Sequence, residues 1–430
     1  MTPHRPTGRA RRTARAVPPG RRPTPPPAAA AAGGTSADAA GAGGIRAGAR
    51  GRGRGVSVLL AALTAAGLTA CSSDEPTEAA GPPSPSSAAP TSPAGSTPAP
   101  SAAGRGSPTR APGERGVRVL TTGLEAPWGL AFLPGGEALV TERDTARILR
   151  VPAGGGPATE VQRLSEVDGD GEGGLLGIAV SPAYARDGLV YVYYTAAEDN
   201  RIARMRLGQP PQPIVTGIPK AGTHNGGRLA FGPDGFLYAG TGDARQEPQA
   251  QDQGFLGGKV LRMTPEGRPA PGNPWNNLAL SKGHRNVQGL AFDRQGRLFA
   301  SEFGQSRFDE VNRIEAGRDY GWPVVEGDSD DSRFARPLTT WATSDSSPSG
   351  AAIQGDTLYV AGLGGERLWQ VPLDGRGGVG EPRALLAGEY GRLRAVEVAP
   401  DGALWILTSN RDGRGRNPAP EDDRILRLVP

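Results

Sequence analysis

The chain has 430 residues, of which 66 are glycine and 42 are proline, and its charged residues are unevenly distributed. Residues 1–113 contain 13 Lys and Arg against 4 Asp and Glu, whereas 114–430 contain 35 against 40. The larger region is therefore mildly acidic, which argues against a broad nucleic-acid-binding surface. Because Cys71 is the single cysteine, disulfides within the chain are excluded.

Residues 1–71 have the composition of a basic leader that ends in a signal peptide. An Arg-, Gly-, Ala- and Pro-rich stretch precedes the uncharged run VSVLLAALTAAGLTAC at 56–71. This run is shorter than the roughly 20 apolar residues of a membrane span, and it follows basic residues, as in secretory signals. Its LTAC end resembles the lipobox of bacterial lipoproteins, which predicts acylation of Cys71 and a lipid anchor on the outer face of the cell membrane. A core segment ending in a chance cysteine, or a translation start nearer Val56, are the alternatives.

Residues 72–113 are rich in Pro, Ser and Ala and contain no aromatic residue. A segment with so little apolar surface to bury cannot offset the entropy lost on ordering. We therefore expect a disordered tether here, followed by a single folded domain over 114–430.

Six copies of one two-strand pattern make up the folded domain. Each copy has a short apolar strand, a turn built on Pro-Asp-Gly, Gly-Gly or Gln-Gly, and a second strand of larger residues. Gly, Asp and Asn favour the tight turns of hairpins. Successive copies lie 45 to 61 residues apart, at 128–143, 176–195, 227–243, 288–304, 349–365 and 394–410.

This repeat predicts an all-β fold, a six-bladed β-propeller with four antiparallel strands in each blade. Helical periodicity is absent, and glycine and proline are too frequent for long helices. A right-handed β-helix is the alternative, but its rungs would be shorter. In a propeller, alternate loops gather at one end of the central channel, so functional residues are expected before the first strand of a copy or after its second.

Unusual polar residues occur at these loop positions. His224 precedes the third copy, and the other histidine of the folded domain, His284, precedes the fourth. A neutral imidazole is a suitable base for an alcohol proton. The arginines of the same loops would bind carboxylates or a quinone oxygen. The residues in question are Glu172, Thr223, His224, Arg285, Asn286, Gln288, Arg392 and Arg394.

Several other kinds of site are excluded by their missing motifs. The chain has no dinucleotide-binding or Walker loop and no serine in a nucleophile elbow. Its histidines are too few for a zinc cluster. The DGDGE run at 168–172 lacks the spacing and flanking helices of an EF-hand.

Five segments resemble the soluble quinoprotein sugar dehydrogenases. They are APWGLAFLPGGEALVTER, GDGEGGLLGIAVSP, THNGGRLAFGPDG, GHRNVQGLAFD and SEFGQSRFDEVNRIEAGRDYGWP, which occur in this order between about Val117 and Leu428. The chain is identified by them as similar to the glucose/sorbosone dehydrogenase family, in its aldose sugar dehydrogenase branch.

The resemblance implies a six-bladed propeller that binds pyrroloquinoline quinone (PQQ) and calcium. A hydride would pass from the anomeric carbon of an aldose to the quinone, giving a lactone, and an external acceptor would take the electrons. The implied base is His224. The implied quinone ligands are Arg285, Asn286, Gln288, Arg392 and Arg394. The resemblance also implies a catalytic calcium site at the carbonyls of Gly304 and Gln305 and a structural calcium site at Glu310 and the Tyr320 carbonyl.

The sequence departs from the family at three positions. The glucose-specific branch has Gln where this chain has Glu172 and Asp where it has Thr223, which favours a broader aldose specificity. Glu172 also has a simpler interpretation as a solvated loop carboxylate. The family's quinone-binding lysine aligns with Gly364, so one cation is missing unless Arg367 reaches the site. A metal-dependent propeller lactonase or esterase and a non-enzymatic binding propeller are the alternative functions.

Overall fold

The computed structural model describes residues 116–430. The predicted leader and signal peptide at 1–71, the lipidation site Cys71 and the tether at 72–113 lie outside these residues. Across the described range, no helix combines the length and hydrophobicity needed to cross a membrane.

The described chain forms 24 strands in six four-stranded antiparallel sheets. A helical turn, α1 (Tyr184–Asp187), and a 3-10 turn (Glu247–Gln251) lie in connections. The strands are β1 (Val117–Thr121), β2 (Pro127–Phe132), β3 (Ala138–Glu142), β4 (Arg147–Val151), β5 (Thr159–Arg163), β6 (Leu175–Val180), β7 (Leu189–Thr195), β8 (Asn200–Arg206), β9 (Gln212–Ile218), β10 (Leu229–Phe231), β11 (Leu237–Gly240), β12 (Lys259–Met263), β13 (Ala279–Lys282), β14 (Val287–Phe292), β15 (Leu298–Glu302), β16 (Phe308–Ile314), β17 (Thr339–Ala342), β18 (Pro348–Gln354), β19 (Thr357–Gly362), β20 (Arg367–Pro372), β21 (Arg383–Leu385), β22 (Leu393–Val398), β23 (Leu404–Thr408) and β24 (Ile425–Leu428).

The sheets are the six blades of a propeller. Blade 1 is β2–β5, blade 2 is β6–β9, blade 3 is β10–β13, blade 4 is β14–β17 and blade 5 is β18–β21. Blade 6 contains β22, β23 and β24 and takes β1 as its fourth strand, with Val117 opposite Leu428. Each sequence copy is the first hairpin of one blade, so the prediction of six blades is confirmed and the β-helix alternative is wrong.

The innermost strands of neighbouring blades lie very close together around the channel. A Cβ atom on Gly177 would collide with the carbonyl of Gly227, and one on Gly289 with the carbonyl of Ser349. These contacts explain the glycine at the start of most copies, because a larger side chain would push two blades apart. The third copy instead carries Arg228, whose buried guanidinium lies 4.3 Å from the ring centroid of Trp128 and donates to the carbonyl of Gln288.

The hydrophobic core lies between adjacent blades. In one cluster, Tyr193 and Ile202 of blade 2 are buried with Leu237 and Leu261 of blade 3. Burying each such side chain stabilises the fold by about 1.5–3 kcal/mol. The blades therefore hold one another in place, and the loops between them are free to carry polar residues.

The two ends of the channel differ in composition. The last residues of the six inner strands surround a cavity of about 360 Å³, lined mainly by residues of apolar type, which we call the lower vestibule. Phe132, Phe231 and Phe292 line it, with Glu397 as its acidic residue. The opposite end is formed by the loops that enter the inner strands, together with the loops after the second strands, and it carries the polar residues singled out above.

Candidate active site at the loop end of the channel

His224 lies in the loop that leads into blade 3. Its φ of 62° is uncommon for a residue other than glycine and carries a strain of about 1–3 kcal/mol. Neighbouring groups hold this conformation: the His224 N–H donates to Glu172 Oε2 at 3.1 Å, and its carbonyl accepts from the Ala244 N–H at 3.1 Å. Asn225 is buried and bonds both the carbonyl and the N–H of Ala221. The loop is therefore braced so that the His224 ring is directed in one way.

The imidazole of His224 has a defined tautomer. Nε2 lies 2.8 Å from Arg285 Nη2, and Nδ1 lies 2.8 Å from Asp243 Oδ1. A guanidinium has only N–H donors, so Nε2 must be the unprotonated acceptor and Nδ1–H must donate to Asp243. The base identified from the sequence thus has its lone pair on Nε2, turned toward Arg285.

Asp243 holds this base in position. It is fully buried, and its second oxygen accepts from the Trp322 indole N–H at 2.8 Å. The Arg245 N–H donates to Oδ1 at 2.8 Å. Asp243 was not singled out from the sequence. Its signal was weak, since it follows the second strand of an ordinary copy, although that position faces the loop end of the channel.

The arginine and asparagine of the RNVQ segment both contact this loop. Arg285 donates to Gln305 Oε1 at 2.5 and 2.9 Å in addition to its contact with His224. Burial lowers the pKa of Arg285 from its usual range. Asn286 Oδ1 accepts from the Gly226 N–H at 3.0 Å. The structure therefore brings Arg285 and Asn286 of blade 4 against the His224 loop of blade 3.

A polar pocket of about 220 Å³ is lined by Gln288 of the RNVQ segment, whereas His224, Arg285 and Asn286 are not among its lining residues. Arg392 and Arg394 of blade 6 share the carboxylate of Asp412, with Nη2–Oδ2 distances of 2.8 and 3.4 Å. Burial opposes ionisation of Asp412, but the two guanidiniums outweigh it and hold its pKa below the usual range. The pocket is lined by Trp128, Arg143, Glu172, Gln288, Phe303, Ser347, Leu363, Arg392, Arg394, Asp412 and Arg414. Four of these are cations and two are anions, so the pocket is suited to an anionic ligand.

The contacts of Arg394 show that the positive charge of the pocket is incompletely neutralised. Its Nη1 donates to Gln288 Oε1 at 2.9 Å, but its buried Nε has no hydrogen-bond partner among the described residues. Burial, with the like charges of Arg143 and Arg392, lowers the pKa of Arg394 to about 9. A buried donor without a partner costs about 1–3 kcal/mol. An acceptor entering the pocket would remove that cost.

The two predicted sugar-side residues differ in their contacts. Glu172 is mostly buried and bridges two loops: Oε2 accepts the His224 N–H, and Oε1 lies 2.7 Å from Arg414 Nη2. Its interpretation as a freely solvated loop carboxylate is therefore wrong. Thr223 is partly exposed, and its side chain makes no hydrogen bond within residues 116–430.

The loop that carries Gly304 and Gln305 wraps around the carboxylate of Glu326. One oxygen of Glu326 accepts N–H bonds of 2.7 to 3.2 Å from four consecutive residues, Gln305, Ser306, Arg307 and Phe308. The Gly304 N–H donates to Asp309 at 2.9 Å. A Cβ on Gly304 would collide with the Phe308 carbonyl, so this turn requires glycine. The carbonyls of Gly304 and Gln305 accept no hydrogen bond in the described part of the chain, which suits them to a hard cation.

Glu310 and Tyr320 lie in a buried network that also contains His284. Asn312 donates to both Glu302 and Glu310, at 2.7 and 2.9 Å. Burial and the nearby Glu302 raise the pKa of Glu310 to about 8. His284 is fully buried, bonds Glu302 at 2.9 Å and stacks on Tyr320 with ring centroids 4.6 Å apart. His284 therefore serves the interior of blade 4, and the side chains of Glu310 and Tyr320 share no hydrogen bond.

Among the described residues, blade 5 does not supply the cation expected at Gly364, and the acidic side chains do not form a metal-binding cluster. Arg367 Nε donates to the Gly365 carbonyl at 2.7 Å, and its guanidinium lies 5.2 Å from the Trp369 ring, so it does not line the pocket. Within residues 116–430, no group of three or more His, Cys, Asp or Glu side chains is placed to hold a metal ion. The predicted calcium sites would thus depend mainly on carbonyl oxygens.

Besides Asp243, which does not line the pocket, the sequence-based assignment missed seven of the pocket's residues. They are Trp128, Arg143, Phe303, Ser347, Leu363, Asp412 and Arg414. Arg143 follows the second strand of the first copy, and Asp412 and Arg414 follow that of the sixth. Their common position after a second strand was the available signal.

Comparison with known proteins identifies the family. The model of the Glucose / Sorbosone dehydrogenase family matches residues 124–425. The PQQ-bound aldose sugar dehydrogenase of Streptomyces coelicolor has a TM-score of 0.70 and 52% identity, over 74% of this chain and 98% of that one. The aldose sugar dehydrogenase of Escherichia coli is 27% identical over 70% of this chain and 92% of its own length, and quinoprotein glucose dehydrogenase B of Acinetobacter calcoaceticus is 32% identical over 51% and 54%. The chain therefore belongs to the glucose/sorbosone dehydrogenase family, as its sequence motifs predicted.

Proposed function

We propose that this enzyme is a PQQ-dependent aldose sugar dehydrogenase that oxidises the anomeric carbon and releases a lactone. The observation that carries the proposal is the His224 imidazole, whose Nδ1–H is bound by buried Asp243 and whose Nε2 lone pair faces Arg285. Glu172, which accepts the His224 N–H, lines an arginine-rich pocket. A base held in this way can remove the proton of a sugar hydroxyl. The similarity of this chain to the aldose sugar dehydrogenases of Streptomyces coelicolor and Escherichia coli supports the same activity.

The pocket residues suit PQQ, which is planar and carries three carboxylates. The pocket has four arginines, and the buried Nε of Arg394 lacks a partner. Arg392 and Arg394 would bind carboxylates, Gln288 would donate an amide, and Arg285 and Asn286 would approach the ring from blade 4. PQQ, when bound, accepts the hydride from the sugar.

The proton and the electron pair leave the sugar separately. The anomeric hydroxyl would give its proton to His224 Nε2, and a bound quinone would supply the acceptor for the hydrogen and both electrons of the anomeric C–H bond. The ring oxygen and the former hydroxyl oxygen remain on the same carbon, which gives the lactone. His224 first has to exchange its contact with Arg285 for the hydroxyl, and Asp243 stabilises the imidazolium that forms. An external electron acceptor then reoxidises the reduced cofactor.

Calcium would bind at the carbonyls of Gly304 and Gln305. The glycine-requiring turn around Glu326 directs four N–H groups to one carboxylate and leaves these two oxygens available. A cation here would polarise a quinone oxygen and orient the ring. The second site, at Glu310 and the Tyr320 carbonyl, would neutralise the buried pair Glu302 and Glu310.

Two alternatives are less well supported. A metal-dependent lactonase would need carboxylates around its metal, whereas this pocket has an excess of arginine. A binding propeller without activity gives no reason for the Asp243–His224 pair beside the pocket. The broad sugar range expected from Glu172 and Thr223 remains a prediction, as does the lipid anchor at Cys71.

The full chain, incubated with PQQ and calcium, tests the activity directly. We expect reduction of an artificial dye with several aldoses and a change in the quinone spectrum on binding. A sugar-independent dye signal, or no spectral change with wild-type protein, would rule out the proposed function. Labelling with a fatty acid analogue, compared between wild type and Cys71→Ser, tests the anchor.

A further inference from the structure

The loop end of the channel contains a cation for which the family motifs give no role, Arg143. It follows β3 in blade 1 and lines the same pocket as Arg392 and Arg394. Its side chain is only 10% exposed. It belongs to blade 1, from which the sequence predicts no quinone ligand.

Arg143 is held at two of its three nitrogens. Nε and Nη2 donate to Oδ1 and Oδ2 of Asp144 at 2.5 and 3.1 Å, and Nη2 also donates to the carbonyl of Asp412 at 3.1 Å. Nη1 has no hydrogen-bond partner within residues 116–430. A guanidinium fixed at one side with its remaining N–H groups open is preorganised to bind an oxygen ligand at little further entropic cost.

The charge of Arg143 is retained in spite of burial. Burial disfavours the cation, but the carboxylates of Asp144, Asp412 and Glu172 outweigh it and raise the pKa of Arg143. Its positive charge, together with that of Arg392, also disfavours protonation of Arg394 and so helps to lower the pKa of Arg394. The pocket therefore holds like charges in close proximity, and an anion bound among them would relieve the repulsion.

The other extra cations of this region are less suitable. Arg367 is bonded to the Gly365 carbonyl and does not line the pocket. Arg414 does line it, but its guanidinium is 58% exposed and is paired with Glu172 at 2.7 Å. Blade 5 contributes only Ser347 and Leu363 to the lining. Arg143 is thus the buried cation that is available to compensate for the missing lysine at Gly364.

We propose that Arg143 binds a carboxylate of the quinone and replaces, from blade 1, the cation that blade 5 lacks. This assignment rests on the proposed function. It predicts that quinone affinity depends on the planar, fixed guanidinium at this position, and not on positive charge alone.

The test measures binding of PQQ to the full chain in the presence of calcium, by calorimetry or by quenching of tryptophan fluorescence. We expect Arg143→Met to weaken binding at least tenfold, on the order of one charge-assisted hydrogen bond. Arg143→Lys, which keeps the charge but not the fork, should lose about three- to tenfold. Arg367→Met, the matched control, should stay within about twofold of wild type.

The outcomes separate this inference from the proposed function. If wild-type protein fails to bind PQQ, the proposed function is wrong. If wild type binds and Arg143→Met, or Arg143→Lys where the Met variant does not fold, keeps wild-type affinity, the assignment of Arg143 is wrong and the proposed function stands. Equal weakening by Arg367→Met would also overturn it, because the effect would then not be specific to the pocket. Circular dichroism and Tm confirm that each variant is folded.

Discussion

The two ends of the central channel are built from the same six strands but differ in chemistry. At the loop end, the strand entries carry His224 and Arg285, which contact each other, and Arg394, which lines a polar pocket. At the other end, the same strands finish in the lower vestibule, whose lining residues are apolar in type apart from Glu397. The repeated hairpins therefore form the ring of blades, and the candidate catalytic and binding residues lie in loops whose sequences differ from the repeat. Substitutions at the loop end should alter activity, and those at the vestibule should alter stability.

The largest effect is expected at the base. His224→Gln should lower kcat by on the order of 10³–10⁴, because a side-chain amide cannot take the hydroxyl proton. PQQ affinity should stay within about threefold of wild type. Steady-state dye reduction and quinone titration measure the two quantities. A parallel loss of both would show that His224 organises the pocket and is not the base.

A smaller loss is expected when the support of the base is changed. Asp243→Asn keeps the shape of the side chain, but its amide can donate to Nδ1 and so favour the tautomer with the proton on Nε2. We expect kcat to fall by on the order of 100-fold, with Tm nearly unchanged. The pH profile of kcat should change along with it. Wild-type turnover in this variant would mean that the Nδ1 contact has no part in the reaction.

The Glu172–Arg414 pair offers a test of the sugar side. Glu172→Gln removes a charge at the pocket but keeps a hydrogen-bond acceptor for the His224 N–H. We expect a change of about three- to tenfold in KM for aldoses and little change in kcat. Measurements with several aldoses would show whether their ranking changes. An unaltered KM for every sugar would remove Glu172 from the sugar site.

The smallest expected effect on turnover belongs to the vestibule. Burial raises the pKa of Glu397 to about 7, although Arg228 opposes the shift. The folded state then binds more protons than the unfolded state between about pH 4.5 and pH 7. The stability that this group contributes is fully present below pH 4.5 and is lost as the pH rises through about 7, by roughly 3 kcal/mol in total. Glu397→Gln should flatten this slope in denaturant titrations at pH 5 and pH 8, with kcat unchanged. A slope equal to that of wild type would contradict the prediction.

The fold and part of the site could be predicted from the sequence because they depend on local patterns. Hairpin turns and apolar strands recur six times, and His224 and Arg285 interrupt that pattern immediately before a strand. Asp243 and Arg143 could not be identified in this way, because each ends an ordinary second strand. Their roles depend on contacts between distant segments, such as the bond from Arg143 to Asp412, 269 residues away. The interior position of His284 was likewise hidden, since its loop resembles that of His224 in sequence.

The ring closes through β1, which pairs with β24 and completes the last blade. Blade 6 therefore combines three strands from the C-terminal end of the described chain with one strand from its N-terminal end, whereas each other blade is one continuous segment. In evolutionary terms, gain or loss of a whole internal repeat would leave this closing pair intact, since β1 pairs with whichever blade comes last. The number of blades could therefore change during evolution while the ring is still closed by the pairing of β1 with the last strand. Shortening the chain by as little as β1, in contrast, would leave β24 as an unpaired edge.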